Sequence, residues 1–182
     1  MEPRGERQNL DMDRGTPLHI RPASLDDATA ICAVHVASVR GLARRAYTPE
    51  QIRAWAENRA PEQYRWAMDH DEEFLVAERD GRVVGFASLL GGEVRSLYVH
   101  PGEAGRGTGT ALLERVEELA SAHGYTTIRL HASLNALRFY QARGWREGTH
   151  VALRLPDGQP LPAVRMDKEI DAPPRAARNS PS

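Results

Sequence analysis

Several residue types are scarce in this chain, and each scarcity excludes a class of function. Among the 182 residues there is one cysteine, Cys32, and one lysine, Lys168. A single cysteine excludes an internal disulfide framework and a zinc site built on paired thiolates, and it is typical of a reducing compartment. A formal net charge of −1 provides no long-range attraction to nucleic acid or to an anionic membrane. We therefore expect neither of these partners.

Targeting and metal-binding patterns are also missing. The first 17 residues contain no apolar run, so we expect neither a signal peptide nor a transmembrane start, and we expect a cytoplasmic protein. No His-x-x-x-His pair and no carboxylate cluster has the spacing of a metal site, which predicts that no metal is bound.

Size and composition indicate one domain. A chain of 182 residues, 41% of them hydrophobic, can bury a real core but leaves little room for a second catalytic domain. Segment 1–17 is polar, and segment 171–182 is rich in Pro, Ala, Arg and Ser, so neither can bury enough apolar surface to order itself. We expect two disordered tails around a folded domain over residues 18–170.

Hydrophobic periodicity and turn chemistry predict the elements of that domain. Thr48, Pro49 and Gln51 form a helix-start signal, and Asp80-Gly81 is a hairpin turn signal. The predicted elements are a strand at 18–21, a helix from Ser24 to about 42, a short helix after Thr48, strands at 74–78, 83–90 and 93–99, a helix ending at 123–124, a strand at 126–132, a short helix at 134–143, and strands at 145–155 and 163–170.

The segment 97–113 is the most informative part of the chain, because an apolar strand runs through a glycine-dense turn into a helix. Gly105, Gly107 and Gly109 occupy alternate positions in that turn. Glycine allows positive φ and a close approach of a ligand to bare backbone, so successive N–H groups can converge on an anion. The following helix directs its positive end to the same place. The segment therefore predicts a phosphate-binding loop.

Two common versions of such a loop are excluded. A triphosphate-binding loop needs a lysine after its last glycine, and the chain has only Lys168. A dinucleotide-binding loop needs a third small residue, where Leu112 stands, and an acidic residue in the next strand, where 128–132 has none. The loop fits a pyrophosphate-bearing ligand other than ATP or NAD.

Two segments of the chain resemble motifs of the GNAT superfamily of acyl-CoA-dependent N-acetyltransferases. Segment 97–113 is similar to its acetyl-CoA pyrophosphate loop, and segment 133–145 is similar to its Asn-Ala-x-x-Phe-Tyr-x-x-x-Gly-aromatic pattern. Segment 47–51 with Trp55 looks like the YafP-type members. The resemblance covers roughly 18–170 and implies an α/β (α+β) domain, with a mixed, mostly antiparallel sheet flanked by helices.

The resemblance also implies how acetyl-CoA is held. Asn135 is similar to a residue that holds the pantetheine arm, although it could instead cap the helix that it begins. Most relatives carry Gln or Arg where Ala104 stands, and Arg106 could take over that phosphate contact. The residues implied in cofactor binding are Leu97, Tyr98 and Val99 for the pantetheine, Gly105, Arg106, Gly107, Thr108, Gly109 and Thr110 for the pyrophosphate, and Asn135 and Tyr140.

The same resemblance suggests the catalytic groups. Tyr140 matches the general acid that protonates the departing thiolate, and its alternative role is core packing. Glu93 resembles the glutamate that deprotonates the amine. Strand alternation, however, puts Glu93 on the face of Leu97 unless a bulge near 95–96 redirects it, and an ordinary strand-end carboxylate is an equal alternative. His131 and His100 are reserve bases.

Acceptor recognition is expected between the first two helices, at Arg40, Arg44 or Tyr47, although an arginine run is also typical of a solvated helix end.

We expect an N-acetyltransferase that transfers an acetyl group to a primary amine of a small molecule or peptide, and we leave a homodimer open. The alternative is a non-catalytic acyl-CoA-binding regulatory domain. A dehydrogenase would need a parallel strand series that the hairpin at 80–81 contradicts.

Overall fold

The computed structural model describes residues 16–57 and 59–171. Apart from residues 16, 17 and 171, the predicted tails lie outside the described part of the chain. Among the described residues, none of the helices combines the length and the apolar character that crossing a bilayer requires.

The described chain forms one seven-stranded sheet with helices on both faces. Its strands lie in the order β1-β2-β3-β4-β5-β7-β6, and every neighbouring pair is antiparallel except β4 and β5. The predicted mixed, mostly antiparallel sheet is therefore confirmed. The elements are β1 (His19–Pro22), α1 (Ala28–Leu42), α2 (Pro49–Ala56), α3 (Pro61–Met68), β2 (Glu73–Arg79), β3 (Arg82–Leu90), β4 (Glu93–Val99), α4 (Thr108–Ala122), β5 (Thr127–Ser133), α5 (Leu137–Gln141), β6 (Arg146–Arg154) and β7 (Pro160–Glu169).

Local signals placed most of these elements correctly. The β2–β3 turn has positive φ at Asp80 (52°) and Gly81 (68°), as the tight hairpin requires. At the start of α2 the Gln51 backbone N–H donates to Thr48 Oγ1 over 3.2 Å, and the Thr48 N–H donates to Gln51 Oε1 over 3.1 Å. This reciprocal pair is the predicted capping box.

Helix α3 was not predicted, because its start carries only part of the α2 signal: Ala60 precedes it and has no side chain that can cap the helix. Pro61 occupies the first helical position and Gln63 the third. Tyr64 of this helix is buried with Ile31 and Phe86 in the core cluster between α1 and the sheet. The helix therefore completes the layer on that face of the sheet.

Helix α4 covers the opposite face of the sheet. Leu112, Leu113 and Val116 are at most 1% exposed and pack among residues of β2 to β5 and β7. This apolar stripe is the one that its 3.6-residue periodicity predicted. Burial of the stripe fixes the first turn of α4, and hence the glycine loop, against the centre of the sheet.

The centre of the sheet is interrupted at β4. The β3–β4 register passes from Ser88 opposite Ser96 to Leu89 opposite Val94, which leaves Arg95 as an extra residue in a bulge. Strands β4 and β5 pair only at Glu93 with Arg129 and at Val94 with Leu130. Beyond Val94 the two strands part, and a gap opens in the middle of the sheet.

Candidate functional site

Two cavities meet at the gap between β4 and β5. The first, called here the loop cavity, has a volume of about 520 Å³ and is lined by the glycine loop, β4 and α5. The second, called the helix cavity, has a volume of about 690 Å³ and is lined from α3, β4, β5 and the β6–β7 turn. Trp55, Tyr98 and Ser133 line both, so the two cavities adjoin at these side chains.

The loop cavity collects most residues that the sequence predicted for cofactor binding. Arg106 and Thr108 are the exceptions, because they do not line its wall. The predicted residues that do line it are Leu97, Tyr98, Val99, Gly105, Gly107, Gly109, Thr110, Asn135 and Tyr140.

The glycine loop leaves open space where side chains would otherwise lie. Gly105 has φ +77° and Gly107 has φ +85°, and a Cβ added at either position would meet no atom within 4 Å. Helix α4 begins at Thr108, directly after Gly107. Left-handed glycines beside a helix N-terminus present backbone N–H groups and the positive end of the helix dipole to one space. That space suits a pyrophosphate.

A buried carboxylate supports this loop, and sequence reasoning missed it. Glu103, whose side chain is 8% exposed, accepts hydrogen bonds from Arg79 Nε at 3.0 Å, Arg106 Nη1 at 2.7 Å and the Thr108 hydroxyl at 3.2 Å. It therefore connects the end of β2 with the loop and the first turn of α4. Arg106, proposed from the sequence as a phosphate ligand, is paired with this carboxylate.

Tyr140 and Asn135 enter the loop cavity from the segment after β5. Tyr140 is 6% exposed and packs edge-to-face against Phe139 and Trp145, with ring centroids 5.1 and 5.8 Å away. Burial raises the pKa of Tyr140, so its phenol is protonated at neutral pH. Asn135 is exposed and caps no helix, since Ser133 precedes the 3₁₀ turn and Ala136 precedes α5.

Arg143 is a second residue of the loop cavity that sequence reasoning missed. Its Nε donates to Thr110 Oγ1 over 3.1 Å, and its Nη1 donates to the Phe139 carbonyl over 2.8 Å. The guanidinium lies 3.9 Å from the Phe139 ring centroid. A cation is thereby held beside the first turn of α4. Its position just before Gly144 in the Asn-Ala-x-x-Phe-Tyr segment was the available signal.

Glu93 lies in the other cavity because of the β4 bulge. The extra residue Arg95 puts Glu93 in the helix cavity and Leu97 in the loop cavity, although unbroken alternation would have placed both on one face. Glu93 Oε1 is 3.6 Å from His131 Nδ1, and Oε2 accepts from Arg129 Nε at 3.3 Å. His100 lines neither cavity, and its Nδ1 accepts from the Gly102 N–H.

Buried aromatic groups form the wall between the helix cavity and α1. His35 is 4% exposed, stacks on Tyr98 with ring centroids 4.0 Å apart, and shares a 2.8 Å hydrogen bond with the Tyr64 hydroxyl. Burial and the charge of Arg59 together lower the pKa of His35 to about 3, so the ring is neutral at pH 7. His35 and the buried Cys32 both lie in the packed interface between α1 and the sheet.

The residues predicted to bind the acceptor lie elsewhere. Arg40, Arg44 and Tyr47 line a third, smaller depression of about 400 Å³. The Tyr47 hydroxyl is already engaged, since it donates to the Pro162 carbonyl over 2.7 Å and accepts from the Leu134 N–H over 2.8 Å. The structure therefore does not bring these three residues to the gap between β4 and β5.

Comparison with known proteins identifies the family to which this chain belongs. A profile of the acetyltransferase (GNAT) domain matches residues 43–169. An uncharacterized N-acetyltransferase from Methanocaldococcus jannaschii is 27% identical over 70% of this chain, and the match spans 60% of that protein. The uncharacterized N-acetyltransferase YafP of Escherichia coli is 28% identical over 71% of this chain and 81% of its own length, which supports the predicted YafP-like character.

Solved structures agree with these relatives. A GCN5-related N-acetyltransferase from Rhodopseudomonas palustris is 34% identical, with a TM-score of 0.78 over 86% of this chain and 96% of its own. The fold is also similar to that of YncA from Salmonella typhimurium, solved with acetyl-CoA, at 23% identity and a TM-score of 0.65 over 90% of this chain and 99% of its own.

Glu103→Gln tests the support of the glycine loop. The variant leaves Arg79, whose side chain is 12% exposed, without its anion, so we expect the free energy of unfolding to fall by about 2–4 kcal/mol. Arg106→Gln is the matched comparison, because the Arg106 side chain is 49% exposed and its pairing should contribute less than about 1 kcal/mol. Urea unfolding of both variants measures the difference. Equal losses would show that Glu103 is not the support.

Proposed function

We propose that this chain, which belongs to the GNAT acetyltransferase family and is an acetyl-CoA-dependent acyltransferase, acetylates a primary amine of a small molecule or peptide. In the proposed reaction the amine attacks the acetyl group directly in a ternary complex. The observation that carries the proposal is the gap between β4 and β5. It joins two cavities, and an acyl donor in one would meet an acceptor in the other. As parts of the same proposal, the acetyltransferase domain spans residues 18–170 and the enzyme works in the cytoplasm.

The loop cavity is proposed to hold acetyl-CoA, which supplies the activated acetyl group. The edge of β4 that parts from β5 leaves main-chain groups of Leu97 to Val99 available to the pantetheine amides, as a sheet edge accepts an added strand. The backbone N–H groups of 105–110 bind the pyrophosphate. Ala104 provides no polar side chain to it, and Arg143 lies in the wall beside Thr110 as an alternative cation. Asn135 binds the pantetheine arm.

Two proton carriers are proposed on the two sides of the gap. The amine nitrogen attacks the thioester carbonyl carbon, the new C–N bond forms as the C–S bond breaks, and the amine proton passes to Glu93. Tyr140 donates its phenolic proton to the departing sulfur. Glu93 then releases its proton to solvent, and the Tyr140 phenolate takes up a proton from solvent. His131, which is 3.6 Å from Glu93, can share the proton.

A non-catalytic acyl-CoA-binding domain is the second candidate. Such a domain needs the loop cavity but has no use for Tyr140 in one cavity and Glu93 in the adjoining one. The direct test is thiol release from acetyl-CoA in the presence of a panel of primary amines. Release that depends on the amine supports the enzyme, whereas binding of acetyl-CoA without release under any amine supports the second candidate.

Gly107→Asp tests the pyrophosphate assignment. An aspartate at φ +85° places a negative charge in the open space of the loop, so we expect the affinity for CoA to fall by at least about 100-fold. Gly158→Asp is the matched control, because Gly158 has φ +87° with equal free space but lies in the β6–β7 turn. Titration calorimetry with CoA compares the two. Wild-type affinity in Gly107→Asp would refute the assignment.

Tyr140→Phe tests the general acid. Removal of the hydroxyl should lower kcat by roughly 100-fold or more, with little change in the affinity for acetyl-CoA, because the ring still packs against Phe139 and Trp145. Tyr98→Phe is the comparison, since Tyr98 is the tyrosine that lines both cavities. If Tyr98→Phe slows turnover and Tyr140→Phe does not, the acid is Tyr98.

Glu93→Gln tests the base through the pH dependence of kcat/KM. Glutamine cannot accept the amine proton, so kcat/KM of the variant should be roughly 100-fold lower across the neutral and alkaline range, where the acceptor amine is increasingly deprotonated. Glu72→Gln is the matched comparison, because Glu72 is another carboxylate of the helix cavity and accepts from the Ser88 hydroxyl over 2.6 Å. A wild-type profile in Glu93→Gln would transfer the role to His131 or to water.

A further inference from the structure

The helix cavity contains positive charge that the described residues do not neutralise. Three arginines line it: Arg59 before α3, Arg95 in the β4 bulge and Arg154 at the end of β6. Within residues 16–57 and 59–171, none of the three has a carboxylate within ion-pair distance, whereas Glu93 of the same cavity is paired with Arg129 and His131. Arg95 and Arg154 are exposed. Glu72, the other carboxylate of the cavity, accepts from the Ser88 hydroxyl. The cavity therefore contains three arginines that no described carboxylate pairs with, together with the carboxylates Glu93 and Glu72.

Arg59 is the most enclosed of these cations. Its side chain is half-buried, its Nε donates to the Trp55 carbonyl over 3.2 Å, and its two terminal nitrogens donate to no described residue. Its charge acts on Tyr98, which lines the cavity. Burial raises the pKa of Tyr98, and the charge of Arg59 opposes that rise. Trp55 and Tyr98 border the gap, so this guanidinium lies close to the place where the two cavities meet.

We propose that the acceptor is an amine that also carries a carboxylate, and that Arg59 binds this carboxylate. The inference deepens the proposed function and rests on it. A planar guanidinium whose two terminal nitrogens donate to no described residue matches a carboxylate in a bidentate pair, and a partly desolvated cation gains most from such a partner. Arg95 and Arg154 attract the same anion at the mouth of the cavity.

Glu93 complements the other end of this acceptor. An ammonium group is drawn to the Glu93 carboxylate while the acid group lies against Arg59, so the two charges orient the amine. The ammonium first loses one proton to solvent and becomes the neutral nucleophile. As its nitrogen forms the amide bond, its second proton passes to Glu93, Tyr140 protonates the departing sulfur, and CoA leaves as the thiol. The carboxylate of the acceptor is unchanged in the reaction. An amine without the carboxylate loses this orientation.

The experiment compares matched acceptor pairs in the thiol-release assay. Each pair is an amino acid and its carboxamide, in a series from glycine through β-alanine and 4-aminobutyrate to 6-aminohexanoate, together with α-amino acids that have longer side chains. For at least one pair the wild type should show a kcat/KM for the acid that is roughly 10- to 100-fold higher than for the amide. Arg59→Met should bring that ratio close to one by raising KM for the acid alone. KM for acetyl-CoA should stay unchanged.

Three further variants locate the carboxylate. Arg45→Met removes an exposed arginine that lines neither cavity and should leave every ratio at its wild-type value. Arg44→Met removes a cation of the third depression, and if it abolishes the preference, the assignment to Arg59 is wrong. Arg59→Lys keeps the charge without the fork and should give an intermediate ratio, which preserves the test if Arg59→Met folds poorly.

The outcomes separate this inference from the function on which it rests. If the wild type acetylates amides and simple amines as well as the matched acids, the carboxylate proposal is overturned and the acetyltransferase stands. If no amine releases thiol although acetyl-CoA binds, the proposed function itself fails, and the acceptor proposal fails with it.

Discussion

The parting of β4 from β5 is the constraint on which the rest of this structure depends. The two strands pair at only two positions, and the bulge at Arg95 turns the free part of β4 away from its neighbour. A continuous sheet would have closed the centre of the molecule with backbone hydrogen bonds. The gap instead exposes the edge of one strand and lets the two cavities adjoin, and the bulge places Glu93 and Leu97 in different cavities. The proposed reaction needs all three of these consequences.

The charged side chains are arranged differently in the two cavities. Each arrangement matches the ligand proposed for that cavity. In the loop cavity Glu103 is surrounded by Arg79, Arg106 and Thr108, so its negative charge is compensated next to the space assigned to a pyrophosphate. The amides of the loop and the dipole of α4 remain as the attraction for phosphate. The helix cavity contains three arginines that have no ion-pair partner among residues 16–57 and 59–171, together with the paired carboxylate of Glu93. A zwitterionic acceptor would complement this pattern.

Much of the fold could be predicted from local signals. Two features were not predicted: helix α3, whose start signal is incomplete, and the role of Glu103, which depends on a partner distant in sequence. The capping box at Thr48 and the turn at Asp80 and Gly81 act within a few residues, so the sequence alone revealed them. Helix α3 has the proline and glutamine of the α2 signal but begins after Ala60, which provides no capping side chain, and it was not predicted. Glu103 could not be recognised in the same way, because its partner Arg79 is 24 residues distant and becomes its neighbour only when the hairpin packs beside the loop.

The sequence by itself determined the local chemistry of this protein: the alternating glycines, the apolar stripe of α4, and the Asn-Ala-x-x-Phe-Tyr segment that carries Asn135 and Tyr140. These features depend on backbone freedom and on periodicity, which are properties of adjacent residues. Only the tertiary structure decided which cavity each group enters. A single extra residue at Arg95 reverses the face of Glu93, and the bulge is fixed by pairing between distant strands. The same packing separated Arg40 and Arg44 from the gap and brought Arg59 to its border.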